Sequence, residues 1–303
     1  MYRFKHILAE LNLDKADEDV AAYAGLISKL TNPTELIFSH VKMHIHAREE
    51  VLIDDDIFLP TQEEVAEDKI NSTIADHYQG NPSTKMELLI KEGHPLKFLL
   101  GQIKDHEIDL VVIGREPHSD TARKLPIKLA RKAPCSVLII PEEAKPHITS
   151  IVVPIDFSHH AKDAVDMAVD FAIASKIPKI TLLHLFQLPS GYSKNGKCED
   201  EFCEIMKANA REEYSYFIEN IDFKGIETEI HIAHDEHLAQ GILNEIEQQG
   251  GDLIIVGARG RDAGAGVLMG SITEDMIARS PVPILAVKDK SKGMSFFESI
   301  LKL

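Results

Sequence analysis

The chain reads as one unit written twice, and that duplication constrains its fold more than any other feature. Short apolar runs bounded by turn residues alternate with longer amphipathic stretches, the pattern of strands and helices in a parallel α/β sheet. The runs fall into two sets of five in the same order. The first set is His6 to Leu11, Glu35 to Val41, Met86 to Ile90, Asp109 to Gly114 and Ser136 to Ile140. The second is Ile151 to Ile155, Lys179 to Phe186, Glu227 to Ile232, Asp252 to Gly257 and Pro283 to Val287. DLVVIG at Asp109 to Gly114 answers DLIIVG at Asp252 to Gly257, and APCSVLII at Ala133 to Ile140 answers SPVPILAV at Ser280 to Val287. A period of about 145 residues is a domain duplication, because solenoid repeats run about 20 to 50 residues.

Each half is therefore expected to be an open, doubly wound, Rossmann-like sheet of five parallel strands. The expected boundaries are 1–143 for the first domain, 148–290 for the second and 291–303 for a carboxyl-terminal tail. PEEAKPHITS, Pro141 to Ser150, reads as the linker, with two prolines and three acidic or basic residues in ten. Ser158 precedes AKDAVDMAVDFAIASK, where Ala161, Val165, Ala168, Val169 and Ala172 recur at helical spacing, so its hydroxyl is placed to cap a helix. Further helices are predicted over Glu199 to Glu219, His237 to Gln248 and Ser271 to Arg279, the last stopped by Pro281. The acidic residues Asp54 to Asp56 and Glu63 to Asp68 read as a solvated connection. In the tail, Phe296, Phe297, Ile300, Leu301 and Leu303 form a short apolar stripe that either covers a core edge or recruits a partner.

Composition narrows the function. The 303 residues carry 33 Lys and Arg against 49 Asp and Glu, a net charge of −16 that repels nucleic acid and anionic membrane surfaces. Cys135, Cys198 and Cys203 are too few for a disulfide framework and fit a reducing compartment. No apolar stretch reaches the length of a secretory signal or a membrane span, so cytoplasm is the expected location.

Chemistry in such sheets sits at the carboxyl ends of the strands where the strand order reverses. After DLIIV comes GARGRDAGAGVLMGSITEDMI, with Gly257, Gly260, Gly264, Gly266 and Gly270, five glycines in fourteen residues, before Ser271 opens a helix. Glycines let a bulky anion approach successive backbone N–H groups, and a helix N-terminus adds partial positive charge. Flexibility alone is the plainer account, but the position after a strand and before a helix favours a polyphosphate. The loop departs from the dinucleotide fingerprint, since Met269 stands where a third glycine or alanine belongs. GYSKNGKC, Gly191 to Cys198, has Walker A spacing but puts Cys198 where Mg²⁺ needs a hydroxyl, and reads as a polar loop in which Lys197 does little.

These residues resemble the universal stress protein family, whose nucleotide-binding members carry G-x2-G-x9-G-S/T here. Gly257, Gly260, Gly270 and Ser271 match that spacing without a gap, and Pro154-Ile155-Asp156-Phe157-Ser158 looks like the family's first-strand signature. Thr181 to Phe186, with His184 and Leu185, is similar to its second strand. The resemblance covers the second half throughout and the first by pattern, so the chain resembles a tandem member. It implies ATP, with Mg²⁺, across the switch point of the second half. Pro154 and Asp156 would lie at the first strand's end, Asp156 accepting from the ribose or adenine edge unless it is a simple turn residue. Leu185 and Val256 would wall the adenine unless both are plain core. Gly257, Arg259, Gly260, Gly270, Ser271 and Ile272 would wrap ribose and phosphates. Arg259 and Arg261 would add contacts to the anion, or be solvated.

The first half lacks this loop. Gly114 to Pro134 spans 20 residues against 24 from Gly257 to Pro281, and Glu116 to Lys132 contains no glycine. Arg123-Lys124 stand where Gly270-Ser271 belong, and Asn12 answers Asp156. One nucleotide per chain is expected. Arg115, Arg123, Lys124, Lys128, Arg131 and Lys132 make this stretch basic, either a solvated helix face or a side-chain site for an anion.

Fifteen histidines raise the question of metal. His40, His44 and His46 share strand parity and His234 and His237 share helix spacing, but neither set brings matching cysteines, and Cys198 and Cys203 are poorly spaced for zinc. No metal site and no catalytic residue is assigned; His159 and His160 directly follow Ser158, but sequence neighbours rarely form a nucleophile and base. The expected function is a nucleotide-binding stress or signalling protein with an unidentified protein partner. Two alternatives stand beside it: a slow ATPase or phosphotransferase using the same pocket, with Asp156 or Asp262 as candidates, and a non-catalytic interaction module. By analogy of fold, the halves are expected to pack as a pseudo-dimer through their last strands, with pairing of whole chains into a homodimer left open.

Overall fold

The computed structural model describes residues 4–42, 62–115, 120–189, 191, 198–260 and 269–288. Gly264, Gly266, Arg261, Asp262, Lys197, His44, His46, Asp54 to Asp56 and the tail 291–303 lie outside the described residues.

The first half holds β1 (His6–Glu10), α1 (Ala16–Thr31), β2 (Glu35–Lys42), α2 (Gln62–His77), β3 (Lys85–Glu92), α3 (Pro95–Asp105), β4 (Leu110–Arg115), α4 (Asp120–Lys132) and β5 (Ser136–Pro141). The second repeats the order with β6 (Ile151–Pro154), α5 (His159–Ser175), β7 (Lys179–Phe186), α6 (Glu199–Ile218), β8 (Glu227–His234), α7 (Leu238–Gln248), β9 (Leu253–Gly257), α8 (Ser271–Arg279) and β10 (Ile284–Val287). Strand order is β3-β2-β1-β4-β5-β10-β9-β6-β7-β8. Within each half every pairing is parallel and the order reverses between the first and fourth strands, which makes each half doubly wound.

The two five-stranded sets form one continuous sheet. β5 and β10 pair antiparallel, Val137 opposite Ala286, Leu138 opposite Leu285 and Ile139 opposite Ile284. Two apolar strands that would each be an edge thus satisfy one another's backbone groups. Side chains alternate between the faces, so the core has two layers. One contains Ile7, Ala9, Leu138, Val153 and Leu285 under α1 and α5; the other contains Leu8, Val137, Val152, Ile284 and Ala286 under α3, α4, α7 and α8.

Local signals explain the helix starts. Ser158 is the N-cap of α5 and its Oγ accepts from the Ala161 amide at 3.2 Å. Pro95 opens α3, where its missing N–H costs nothing. The stretch Glu63 to Asp68, expected as a connection, instead belongs to α2. Its acidic face turns to solvent while Ala66 and Ile70 are buried and Ile74 packs on the core. Apolar residues four apart, carried among acidic ones, make an amphipathic helix.

Arg115 also differs from the expectation of a solvated or anion-binding face. It is buried, 6% exposed, in the seam between the halves, where Nη1 donates to Ala278 O at 2.8 Å and Nη2 donates to Ser280 O. A cation there satisfies carbonyls at the C-terminal end of α8. On the same seam, Lys288 Nζ donates to Arg131 O at 3.1 Å and Ala133 O at 2.7 Å. The first half therefore grips α8 and the end of β10.

Candidate functional site

The switch point of the second half opens into a cavity of about 620 Å³, within the size range of small-ligand pockets. Pro154, Asp156, Leu185, Val256, Gly257, Arg259, Gly260, Gly270, Ser271 and Ile272 all line it. Residues more than a hundred positions apart meet there because the ends of β6, β7 and β9 lie side by side.

The cavity is built from backbone outward. After β6 the chain turns at Phe157, which has φ of 61°, and Asp156 Oδ1 accepts the Ser158 amide at 3.0 Å. His184 Nδ1 lies 2.9 Å from Ile155 O and its ring stacks at a tilt on Phe157, with centroids 4.4 Å apart. This turn is thereby held from below, and Asp156 is fixed at the cavity wall.

Two glycines permit close backbone approach. A Cβ on Gly257 would lie 2.6 Å from His160 O, so the end of β9 reaches the first turn of α5 only as glycine. A Cβ on Gly260 would lie 3.0 Å from Asp156 Oδ2. Across the loop, the Gly270 amide donates to Ala258 O at 3.0 Å, and a Cβ on Gly270 would stand 3.6 Å from the Gly260 nitrogen. The loop is closed at its base by its own backbone.

The N-terminus of α8 differs from that of α5. Gly270 is its N-cap and has no side chain with which to cap it, and Ser271 to Glu274 of its first turn line the cavity at the positive end of the helix dipole. Such an end suits an anion. Leu183, Leu185, Leu238, Ile242 and Val256 form an apolar wall alongside. The arrangement offers a flat apolar group one surface, a hydroxyl-bearing group the Asp156 carboxylate, and an anionic group a helix N-terminus.

Sequence reasoning missed part of this wall. Leu183 was legible, since it is two residues from Leu185 on one strand and so shares its face. Leu238 and Ile242 are four apart on α7 and share a stripe. Thr273, which donates from Oγ1 to Gly257 O at 3.3 Å, and Glu274 had no spacing signal. Among the described residues, no group of three or more His, Cys, Asp or Glu is placed to hold a metal ion.

The first half repeats the scaffold and not the lining. Leu13 has φ of 61° where Phe157 does, His40 Nδ1 lies 2.8 Å from Leu11 O, and a Cβ on Gly114 would meet Ala16 Cβ at 2.8 Å. Register makes Glu10 and Ser39 partners as Pro154 and Leu183 are. Where the cavity has Pro154, Leu183 and Ala161, the first half has Glu10, Ser39 and Asp17. Ser39 Oγ donates to Glu10 Oε2 at 2.6 Å, and Asp17 accepts from the Asn12 and Leu13 amides at 2.7 and 2.8 Å. Burial drives the Glu10 carboxyl well above its ordinary pKa and raises Asp17 to about 7. Neither residue was singled out from sequence, although aligning the halves sets each against an apolar counterpart.

No helix among the described residues is long and apolar enough to cross a membrane. The family model described as the universal stress protein family matches residues 147–288. Universal stress protein MJ0577 of Methanocaldococcus jannaschii is 30% identical over 160 residues, covering 46% of this chain and 95% of that protein. Among solved structures, PA1789 from Pseudomonas aeruginosa PAO1 aligns with a TM-score of 0.66 at 16% identity, covering 99% of this chain and 98% of that one. A universal stress protein from Archaeoglobus fulgidus aligns with a TM-score of 0.61 at 16% identity, covering 93% and 96%. The two structures agree in fold across both halves, the curated relative agrees in sequence over nearly its whole length, and the chain therefore belongs to the universal stress protein family.

Proposed function

We propose that the cavity between β6 and β9 binds one adenine nucleotide per chain, ATP with Mg²⁺ carried on its phosphates, and that occupancy alters a surface read by a protein partner. On this reading residues 148–290 are the nucleotide-binding domain, 1–143 a related domain without a nucleotide loop, and 291–303 a tail. The two domains pack as an internal pseudo-dimer through β5 and β10.

The observation that carries the reading is the glycine-capped N-terminus of α8 lining the same cavity as Asp156 and an apolar wall. Adenine would lie on Leu185 and Val256, and Asp156 would accept from the ribose hydroxyls or the adenine edge. Gly260, Gly270, Ser271 and Ile272 would present backbone donors to the phosphates, with Arg259 adding charge. Mg²⁺ keeps most of its ligands as waters and phosphate oxygens, so the wall need supply few.

The first half argues for a single site. There Glu10 and Asp17 are buried and engaged by Ser39 and by the Asn12 and Leu13 amides, where the second half offers Pro154 and Ala161 to the cavity. That filled position, with no glycine between Glu116 and Lys132, opposes a triphosphate.

Titration calorimetry with ATP tests the reading. The expected result is saturable binding at one per chain that Gly270→Val abolishes. Absence of binding, or binding that survives Gly270→Val, contradicts it.

A further inference from the structure

A cation of the first half pairs with one acidic residue on the wall of the second half's cavity. Glu274 lies in the first turn of α8 and lines the cavity. Its carboxylate occupies the end of the helix that would attract an anion, and left uncompensated it would oppose one. It is compensated by Arg131, from α4 of the other half. Arg131 Nε donates to Glu274 Oε1 at 2.8 Å and Nη2 to Oε2 at 2.6 Å, a two-point pairing that fixes the carboxylate's direction. Glu274 is 26% exposed and Arg131 46%. The backbone of Arg131 is held in turn by Lys288 Nζ, and the far end of α8 by Arg115.

We propose that Arg131 is a positioning residue for the anionic part of the ligand: by pairing with Glu274 it lets the N-terminus of α8 accept phosphate, so the first half tunes the second half's preference for charged ligands. The inference rests on the nucleotide reading above and deepens it. It gives the half without a nucleotide loop a role in the site. Without Arg131, one full negative charge stands beside the phosphates, and the carboxylate regains the freedom to turn into the cavity. Both effects grow with ligand charge and are absent for an uncharged ligand.

The test compares ATP, AMP and adenosine binding to the full chain and its Arg131→Gln, Arg131→Lys, Glu274→Gln and double Arg131→Gln/Glu274→Gln variants. At low salt Arg131→Gln is expected to weaken ATP about three- to tenfold, AMP less, and to leave adenosine within about twofold, with the effect shrinking as salt rises. Arg131→Lys should recover part of the loss. In the Glu274→Gln background, Arg131→Gln should have no further effect on ATP. A purely structural seam contact would instead weaken ATP and adenosine alike, and that result overturns the proposal, as does an Arg131→Gln effect that persists without the Glu274 carboxylate. Failure of the unmodified chain to bind ATP sinks the nucleotide reading itself, whereas normal ATP binding that ignores Arg131 sinks only this inference.

Discussion

Gly260 passes so near Asp156 that a methyl group on its Cα would stand 3.0 Å from the Asp156 Oδ2. The loop after β9 and the turn after β6 are thus packed to the limit at one point of the cavity wall. Substituting Gly260→Ala forces the carboxylate aside by a few tenths of an ångström without touching backbone. The expected outcome is about a tenfold loss of ATP affinity, about 1.4 kcal/mol, with a thermal midpoint within about 2 °C of the unmodified chain. Calorimetry and a thermal melt check the two halves of that statement.

Gly257 and Gly114 occupy matching places at the ends of β9 and β4, and each lets a strand meet a helix. A Cβ on Gly257 would collide with the backbone of His160, and one on Gly114 with the Ala16 side chain. An alanine Cβ has no rotamer by which to yield, so in both halves the helix backbone must shift. Gly257→Ala and Gly114→Ala should each destabilise by about 1–3 kcal/mol, read from urea unfolding. Only Gly257→Ala should also weaken ATP.

Arg115 ties the halves by donating to Ala278 O and Ser280 O from a buried position. Arg115→Ala leaves those carbonyls without the guanidinium and opens a gap in the seam. A loss of about 2–4 kcal/mol in unfolding free energy is expected, only partly recovered by Arg115→Lys, whose single ammonium cannot reproduce the fork.

The fold was largely legible because strand cores are continuous apolar runs, and a repeated order of such runs leaves few topologies. Lys179–Phe186 and Ser271–Arg279 begin and end where turn and cap residues place them. The lining of the candidate site was legible for a related reason: glycines needed for close approach have no substitutes, so their spacing stands in plain view. What stayed hidden depends on contacts across long separations. Arg115 and Arg131 look like members of one basic face until α8 is laid beside α4, with Glu274 lying 143 positions from Arg131. Ala66 and Ile70 were masked by the acidic residues around them, and Glu10 by its place in an apolar strand.

Glu10 and Asp17 give the first half a distinctive response to pH. A carboxyl whose folded pKa is raised keeps a proton that the unfolded chain has lost, so its burial costs most above the folded pKa. For Asp17 the cost appears as pH rises from 3.8 towards about 7, and for Glu10 in the same direction. Glu10→Gln retains an acceptor for Ser39 and removes the ionisation. It should raise the urea midpoint at pH 8 and change it little at pH 5. A gain of equal size at both values would remove this account of the cluster.

A crystal grown with excess ATP tests the central claim most directly. One nucleotide is expected per chain, its base against Leu185 and Val256, its ribose by Asp156 and its phosphates at the N-terminus of α8. An empty cavity there, or a triphosphate lodged between β1 and β4, would contradict the account.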